Sequence, residues 1–208
     1  MTVIATAVTR TQNPRGSGGL LREEIIDAAH ELLAESGDPS QLTLRGIAKR
    51  VGIAAPSIYQ HFPDAVHLKL AVVERSFSEF IRQRDSARDR LRDPTERLLA
   101  GCRAYCSFAL EHPGEYRFMF SHESPLQGSQ SPSGAKALAV LEESIMRCEA
   151  AGLLESTSDP KSLASDIWSA LHGIALLRIN APEFDWPDSM PEMVDRVVTR
   201  LTGLNGGM

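Results

Sequence analysis

The chain has 208 residues, 42% hydrophobic and 24% charged, a balance that supports a sizeable folded core and excludes intrinsic disorder and collagen-like or mucin-like polymers. No apolar run approaches the roughly 18 to 20 residues of a bilayer crossing, and residues 1–8 have no basic residue and no cleavage site of a secretory leader, so a cytoplasmic protein without a membrane span is expected. The formal net charge of −5 is unevenly spread: residues 1–62 hold six basic and six acidic residues, which leaves 16 of the 22 basic and 21 of the 27 acidic residues to the remainder. Arg10, Arg15 and the stretch with Arg45, Lys49 and Arg50 have no acids beside them in sequence. Only this first part therefore offers locally positive stretches to phosphate.

Residues 1–19, with Asn13, Pro14, Gly16, Ser17 and Gly18, read as a flexible arm. Leu21, Ile25, Ala28, Ala29, Leu32 and Leu33 form one apolar stripe on a helix that ends near Ser36 and Gly37. After the turn residues Asp38, Pro39 and Ser40, Thr43 is a good N-cap. Leu44, Ile47, Ala48 and Val51 then define a short helix stopped by Gly52. Pro56 suits the first turn of a third helix, with Ile58 and Phe62 facing inward before Pro63. Longer helices follow over about 64–89 and from Asp93 to a break at His112, Pro113 and Gly114, then a short one ends at Phe120. Residues 121–134 read as a loop, and three further helices are expected over about 134–151, 160–179 and 189–203. The fold class is all-α with about nine helices, and no strand pattern competes.

Three short helices, the second and third joined by a tight glycine turn, form a helix-turn-helix over Thr43 to Phe62. With the apolar stripe before it, the Ile47-Ala48-x-x-x-Gly52 turn and the Ile58-Tyr59-x-His61-Phe62 ending, residues 20–75 resemble the DNA-binding domain of TetR-family transcriptional regulators. The resemblance implies an all-helical homodimer. Residues 20–63 would be the DNA-binding domain, and 64–208 a ligand-binding and dimerisation domain joined to its copy through the last two helices. The partners implied are a double-stranded DNA operator and an apolar small-molecule effector, and the function implied is that of a ligand-responsive repressor.

Thr43 at a helix N-terminus can present its hydroxyl and free N–H groups to a phosphate. Arg45 is the candidate reader of guanine and Gln60 of adenine, each such bidentate pair being worth about 1 to 3 kcal/mol of discrimination. Ala55 and Pro56 can touch thymine methyl groups, and Ser57 faces outward beside them. The resemblance gives Tyr59 and His61 as phosphate donors, although His61 could equally pack beneath the first helix. Lys49 is either a phosphate contact or a solvated surface charge. Arg10 and Arg15 either enter a minor groove or belong to a free tail. One position departs from the family: the lysine usual after the Pro-Asp that follows this ending is Ala65 here, which removes one backbone contact.

Trp168, His172 and Gly173 form a W-x-x-x-H-G pattern that resembles one TetR C-terminal subgroup. Trp168 and His172 share a helix face, at either the dimer seam or a pocket wall, and Gly173 suits close packing against another backbone. Candidate pocket residues are Phe77, Phe80, Cys102, Tyr105, Cys106, Tyr116, Met119, Trp168 and His172, with Phe118 and Phe120 beside them; such stripes more often form plain core. Cys102, Cys106 and Cys148 read as small buried residues of a reducing compartment. The six histidines have no H-x-x-x-H or H-E-x-x-H spacing, so neither a metal nor another cofactor is expected. The alternatives are a helical ligand sensor that acts through a protein partner without DNA, and an enzyme using His112, Glu115 and Tyr116. No nucleophile and base spacing supports the enzyme.

Overall fold

The computed structural model describes residues 18–121, 124–125, 132–155 and 158–204. Among the described residues there are nine α-helices and no strand. They are α1 (Gly18–Ser36), α2 (Leu44–Val51), α3 (Ala55–Ile58), α4 (Ala65–Arg88), α5 (Pro94–Glu111), α6 (Pro113–Phe120), α7 (Pro132–Ala150), α8 (Pro160–Asn180) and α9 (Met190–Thr202). A single 3-10 turn at Pro39–Gln41 joins the first two.

Helix boundaries follow capping chemistry. Asp64, Asp93 and Asp159 each accept a backbone N–H from the first turn of α4, α5 and α8, which satisfies donors that a helix start leaves without partners. Proline stands in the first turn of α5, α6, α8 and α9, where its missing N–H takes nothing from the helix. Ser189 and Glu192 close a reciprocal capping box on α9. Helix α7 begins at Pro132, so the last three residues of the expected 121–134 loop are helical. Its Pro-Ser-Gly reads as turn chemistry, yet proline at a helix start is also preorganised for the helix. Residues 126–131 of that loop, and the arm with Arg10 and Arg15, lie outside the described residues.

Ile25, Ala29 and Leu33 of α1, Ile47 and Ala48 of α2, Ile58 of α3 and the following Phe62 are buried together. Fully burying one such aliphatic side chain stabilises by about 1.5 to 3 kcal/mol, which is how helices as short as α2 and α3 persist. Helix α4 links this unit to the rest, since it packs on α1 and also on α5, α6 and α7. Helix α5 is central to the larger part and touches α4, α6, α7, α8 and α9. Leu98, Cys102, Cys106 and Ala109 on its inner faces are buried. No helix among the described residues is long and apolar enough to cross a membrane.

Candidate nucleic-acid interface and internal cavity

Thr43 caps α2, its Oγ1 accepting the Gly46 N–H at 3.1 Å. The hydroxyl hydrogen is still free to be donated outward. Gly52 ends α2 in the left-handed region at φ 74°, which gives the chain the sharp turn into α3. Leu44, Ile47, Ala48 and Ile58 face inward, so Thr43, Arg45, Lys49, Pro56, Tyr59 and Gln60 are exposed, while Ala55, Ser57 and His61 are half-buried. Neither the Arg45 nor the Lys49 side chain has a hydrogen bond or ion pair among the described residues, whereas that of Arg50 does. Its guanidinium spans Glu35 at 2.9 and 2.6 Å and Glu31 at 3.2 Å on α1. The positive stretch read from the sequence is therefore reduced to Arg45 and Lys49. The acids that hold Arg50 come from a different helix, which adjacency along the chain does not reveal.

A cavity of about 70 Å³ lies between α4, α5, α6, α7 and α8. Phe77, Phe80, Cys102, Tyr105, Tyr116, Met119, Phe120 and Trp168 line it, with Leu98, Phe108, Leu138, Leu141 and Leu171. Three polar groups of its wall and His172 behind them form one network. Trp168 Nε1 donates to Tyr105 Oη at 3.1 Å, the two tyrosine hydroxyls are 2.9 Å apart, and Tyr116 Oη is 2.7 Å from His172 Nδ1. Burial holds His172 below its ordinary value, so it is neutral at pH 7. With the imidazole Nδ1 unprotonated, a donor order that satisfies these contacts runs from the indole to Tyr105, Tyr105 to Tyr116, and Tyr116 to the imidazole. Burial raises both phenols, so neither ionises near neutrality.

The smaller helical unit meets the larger at α1 and α6. A side chain added at Gly114, in the first turn of α6, would lie 2.6 Å from the Leu33 carbonyl oxygen of α1. Only glycine allows that approach. Glu115, next in sequence and buried, draws groups from α1, from α4 and from the junction of α5 and α6. His30 Nδ1 of α1 is 3.2 Å from Oε2, Ser76 Oγ of α4 donates to the same oxygen at 3.2 Å, and His112 Nδ1 is 3.5 Å from Oε1. Burial pushes the Glu115 carboxyl up, but the hydrogen bond and charge of His30, with His112 and Ser76, outweigh it and hold the group below its ordinary value. The same short helix carries Tyr116, Met119 and Phe120 into the cavity wall.

Two family models match the chain: "Bacterial regulatory proteins, tetR family" over residues 25–71 and "Tetracyclin repressor-like, C-terminal domain" over residues 98–201. The chain is 31% identical over 186 residues to the uncharacterized HTH-type transcriptional regulator Rv0681 of Mycobacterium tuberculosis, covering 89% of this chain and 82% of that protein. The chain belongs to the TetR family of transcriptional regulators. Solved structures share the fold of this TetR-family protein. A protein of unknown function from Rhodococcus sp. RHA1 matches with TM-score 0.75 and 24% identity, covering 93% of this chain and 99% of that one. RolR in complex with the ligand resorcinol matches with TM-score 0.66 and 20% identity over 89% of each chain. The family regulates transcription and is not enzymatic, so His112, Glu115 and Tyr116 are not assigned catalytic roles.

Of the cavity candidates named from the sequence of this TetR-family regulator, Cys106 and His172 are not on the wall. Cys106 is fully buried with Sγ 3.7 Å from the Leu171 carbonyl, and its thiol is pushed up to about 12 by burial. His172 acts from behind through the tyrosines. Phe118 is fully buried core. The free thiols Cys102, Cys106 and Cys148 are all buried, and burial raises each, which disfavours the thiolate that redox chemistry needs. Gly173 has nothing within 4 Å of an added side chain, so the close backbone contact expected there does not exist within one chain. Sequence reading missed Arg84, Arg88 and Arg97, which line the cavity with Gly101 and Ser144. A signal was present: Val73, Phe77, Phe80, Arg84 and Arg88 continue one face of α4 at spacings of three and four.

Proposed function

We propose that this TetR-family regulator is a homodimeric repressor released from its operator by a small molecule held in the internal cavity. The observation that carries the reading is α6, which walls the cavity with Tyr116, Met119 and Phe120 and abuts α1 at Gly114. A ligand that changes the position of α6 pushes directly on the helix to which α2 is tied through Arg50. That RolR holds resorcinol within the same fold supports a small-molecule effector.

In this reading residues 20–63 contact DNA and the remainder from 64 senses the effector and dimerises. Arg45 and Gln60 reach base edges, Ala55 and Pro56 meet thymine methyl groups, and Thr43, Ser57, Tyr59 and His61 position the backbone. The two copies of α3 sit about 34 to 36 Å apart to enter successive major grooves, and the ligand favours another separation. Dimerisation uses α8 and α9, whose half-buried or exposed Leu176, Leu177, Val197 and Leu201, and the open face at Gly173, are left uncovered by a single chain.

Fluorescence anisotropy with the protein's own upstream DNA and a scrambled duplex, across a salt series, tests this. The upstream duplex is expected to bind preferentially and to weaken as salt rises, because released counterions drive the phosphate contacts. Arg45→Ala is expected to reduce the preference. Absence of binding at low salt by a folded dimer overturns the reading.

A further inference from the structure

The internal cavity is not apolar throughout. Arg84 and Arg88 of α4 line it, each only 7% exposed, together with Arg97 of α5. Arg84 places Nε and Nη2 on the Asp85 carboxylate at 2.9 and 2.7 Å. Arg88 and Arg97 have no carboxylate partner among the described residues. Arg88 Nη2 donates to Ser144 Oγ at 2.9 Å, while Arg97 Nη1 donates to the Arg88 and Leu91 carbonyls at 2.8 and 2.9 Å. Arg84 Nη1, Arg88 Nε and Arg97 Nε are buried and without a hydrogen-bond partner. Burial, then the charges of Arg84 and Arg97, pull the Arg88 guanidinium below its ordinary value.

Helix α5 makes room for this cluster. A side chain added at Gly101 would come within 3.3 Å of Arg88 Cδ and 3.9 Å of Arg84 Cγ. The guanidinium groups are therefore held in place before any ligand arrives, by carbonyls, a hydroxyl and one carboxylate, with donors left over. From Arg84 a run of ring contacts leads away across Phe80 (5.8 Å), Tyr105 (5.6 Å) and Tyr116 (5.7 Å) to the network at His172. That end has its polar atoms paired among themselves and asks for apolar atoms. The arginine end has buried positive charge and spare donors, which a water-excluding site leaves to a ligand to satisfy.

Taking this cavity as the effector site, a premise on which the inference rests, we propose that the effector is an amphipathic carboxylate, its oxyanion on Arg88 and Arg97 and its apolar body along Phe77, Phe80 and Met119. Two planar guanidinium groups match the two oxygens of a carboxylate, and an uncharged apolar molecule would leave those donors unpaired.

Isothermal titration calorimetry on the full chain with octanoate and octan-1-ol, which differ at the head group and share an alkyl chain, tests this. Octanoate is expected to bind at least tenfold more tightly than octan-1-ol. Arg88→Met is expected to reduce that advantage to twofold or less while octan-1-ol affinity changes by no more than twofold. Arg97→Met, at a less buried position, makes the same comparison should the first variant fail to fold. Equal binding of the two compounds to the native protein, or an octanoate advantage that survives whichever variants fold, overturns the carboxylate and leaves the cavity assignment standing. Heat from neither compound overturns both.

Discussion

Arg45 and Arg50 lie on the same short helix and have opposite surroundings. The Arg45 side chain is exposed without a partner among the described residues, whereas Arg50 ties α2 to Glu31 and Glu35 of α1. Arg45→Ala is therefore expected to cost about 1 to 3 kcal/mol of discrimination at its base pair while leaving the melting temperature unchanged. Arg50→Ala is expected to lower the melting temperature slightly and to weaken all duplexes alike; anisotropy and thermal melts of both variants check the contrast. Glu115 gives a pH prediction. Its folded carboxyl lies below the ordinary value of 4.5, so the unfolded chain takes up the proton first as pH falls. The stability it contributes is present above that ordinary value and is lost as pH drops through the folded one. Glu115→Gln is expected to destabilise by roughly 1 to 3 kcal/mol at pH 7 and to flatten the loss of stability below pH 5, as read by urea melts at pH 7, 5 and 4.

Among the helices, α6 is eight residues long and touches α1, α4 and α5. Gly114→Ala places a side-chain carbon against the Leu33 carbonyl, a backbone group that only moves with its helix. The expected result is a loss of about 1 to 3 kcal/mol of stability, together with altered DNA affinity even though the residue lies outside the helix-turn-helix. Calorimetric melts and anisotropy on the same sample check both. On α8, Leu177 is 56% exposed one turn beyond the open Gly173. Leu177→Arg is expected to shift the protein from dimer to monomer in light scattering, with loss of operator binding and an intact helical spectrum.

The helices are legible in the sequence because their signals are local. Caps at Thr43, Asp64, Asp93 and Ser189, prolines at helix starts and spacings of three and four need only neighbouring residues. The helix-turn-helix is legible for the same reason. The cavity is only half legible: its aromatic wall stands out in the sequence, but charged residues on a core-facing stripe usually signal helix surface. What buries Arg84 and Arg88 comes from α5 and α7, and the Ser144 partner of Arg88 is far along the chain. The acids that hold Arg50 are hidden by distance in the same way.

Taken across the full chain, cavity occupancy and DNA affinity are two readings of a single conformational equilibrium in the proposed mechanism. A coupling of about 1 to 3 kcal/mol is equivalent to a change of 5-fold to 150-fold in affinity and is reciprocal between the two ligands. The decisive experiment takes small molecules that raise the melting temperature of the free protein and measures its affinity for the preferred duplex by anisotropy with each at saturation. The expected result is a roughly 5-fold to 150-fold weakening of DNA binding, with the DNA-bound protein taking up the same molecule more weakly by the same factor. Compounds that occupy the cavity, lose their effect in cavity variants and leave DNA affinity unchanged would contradict it.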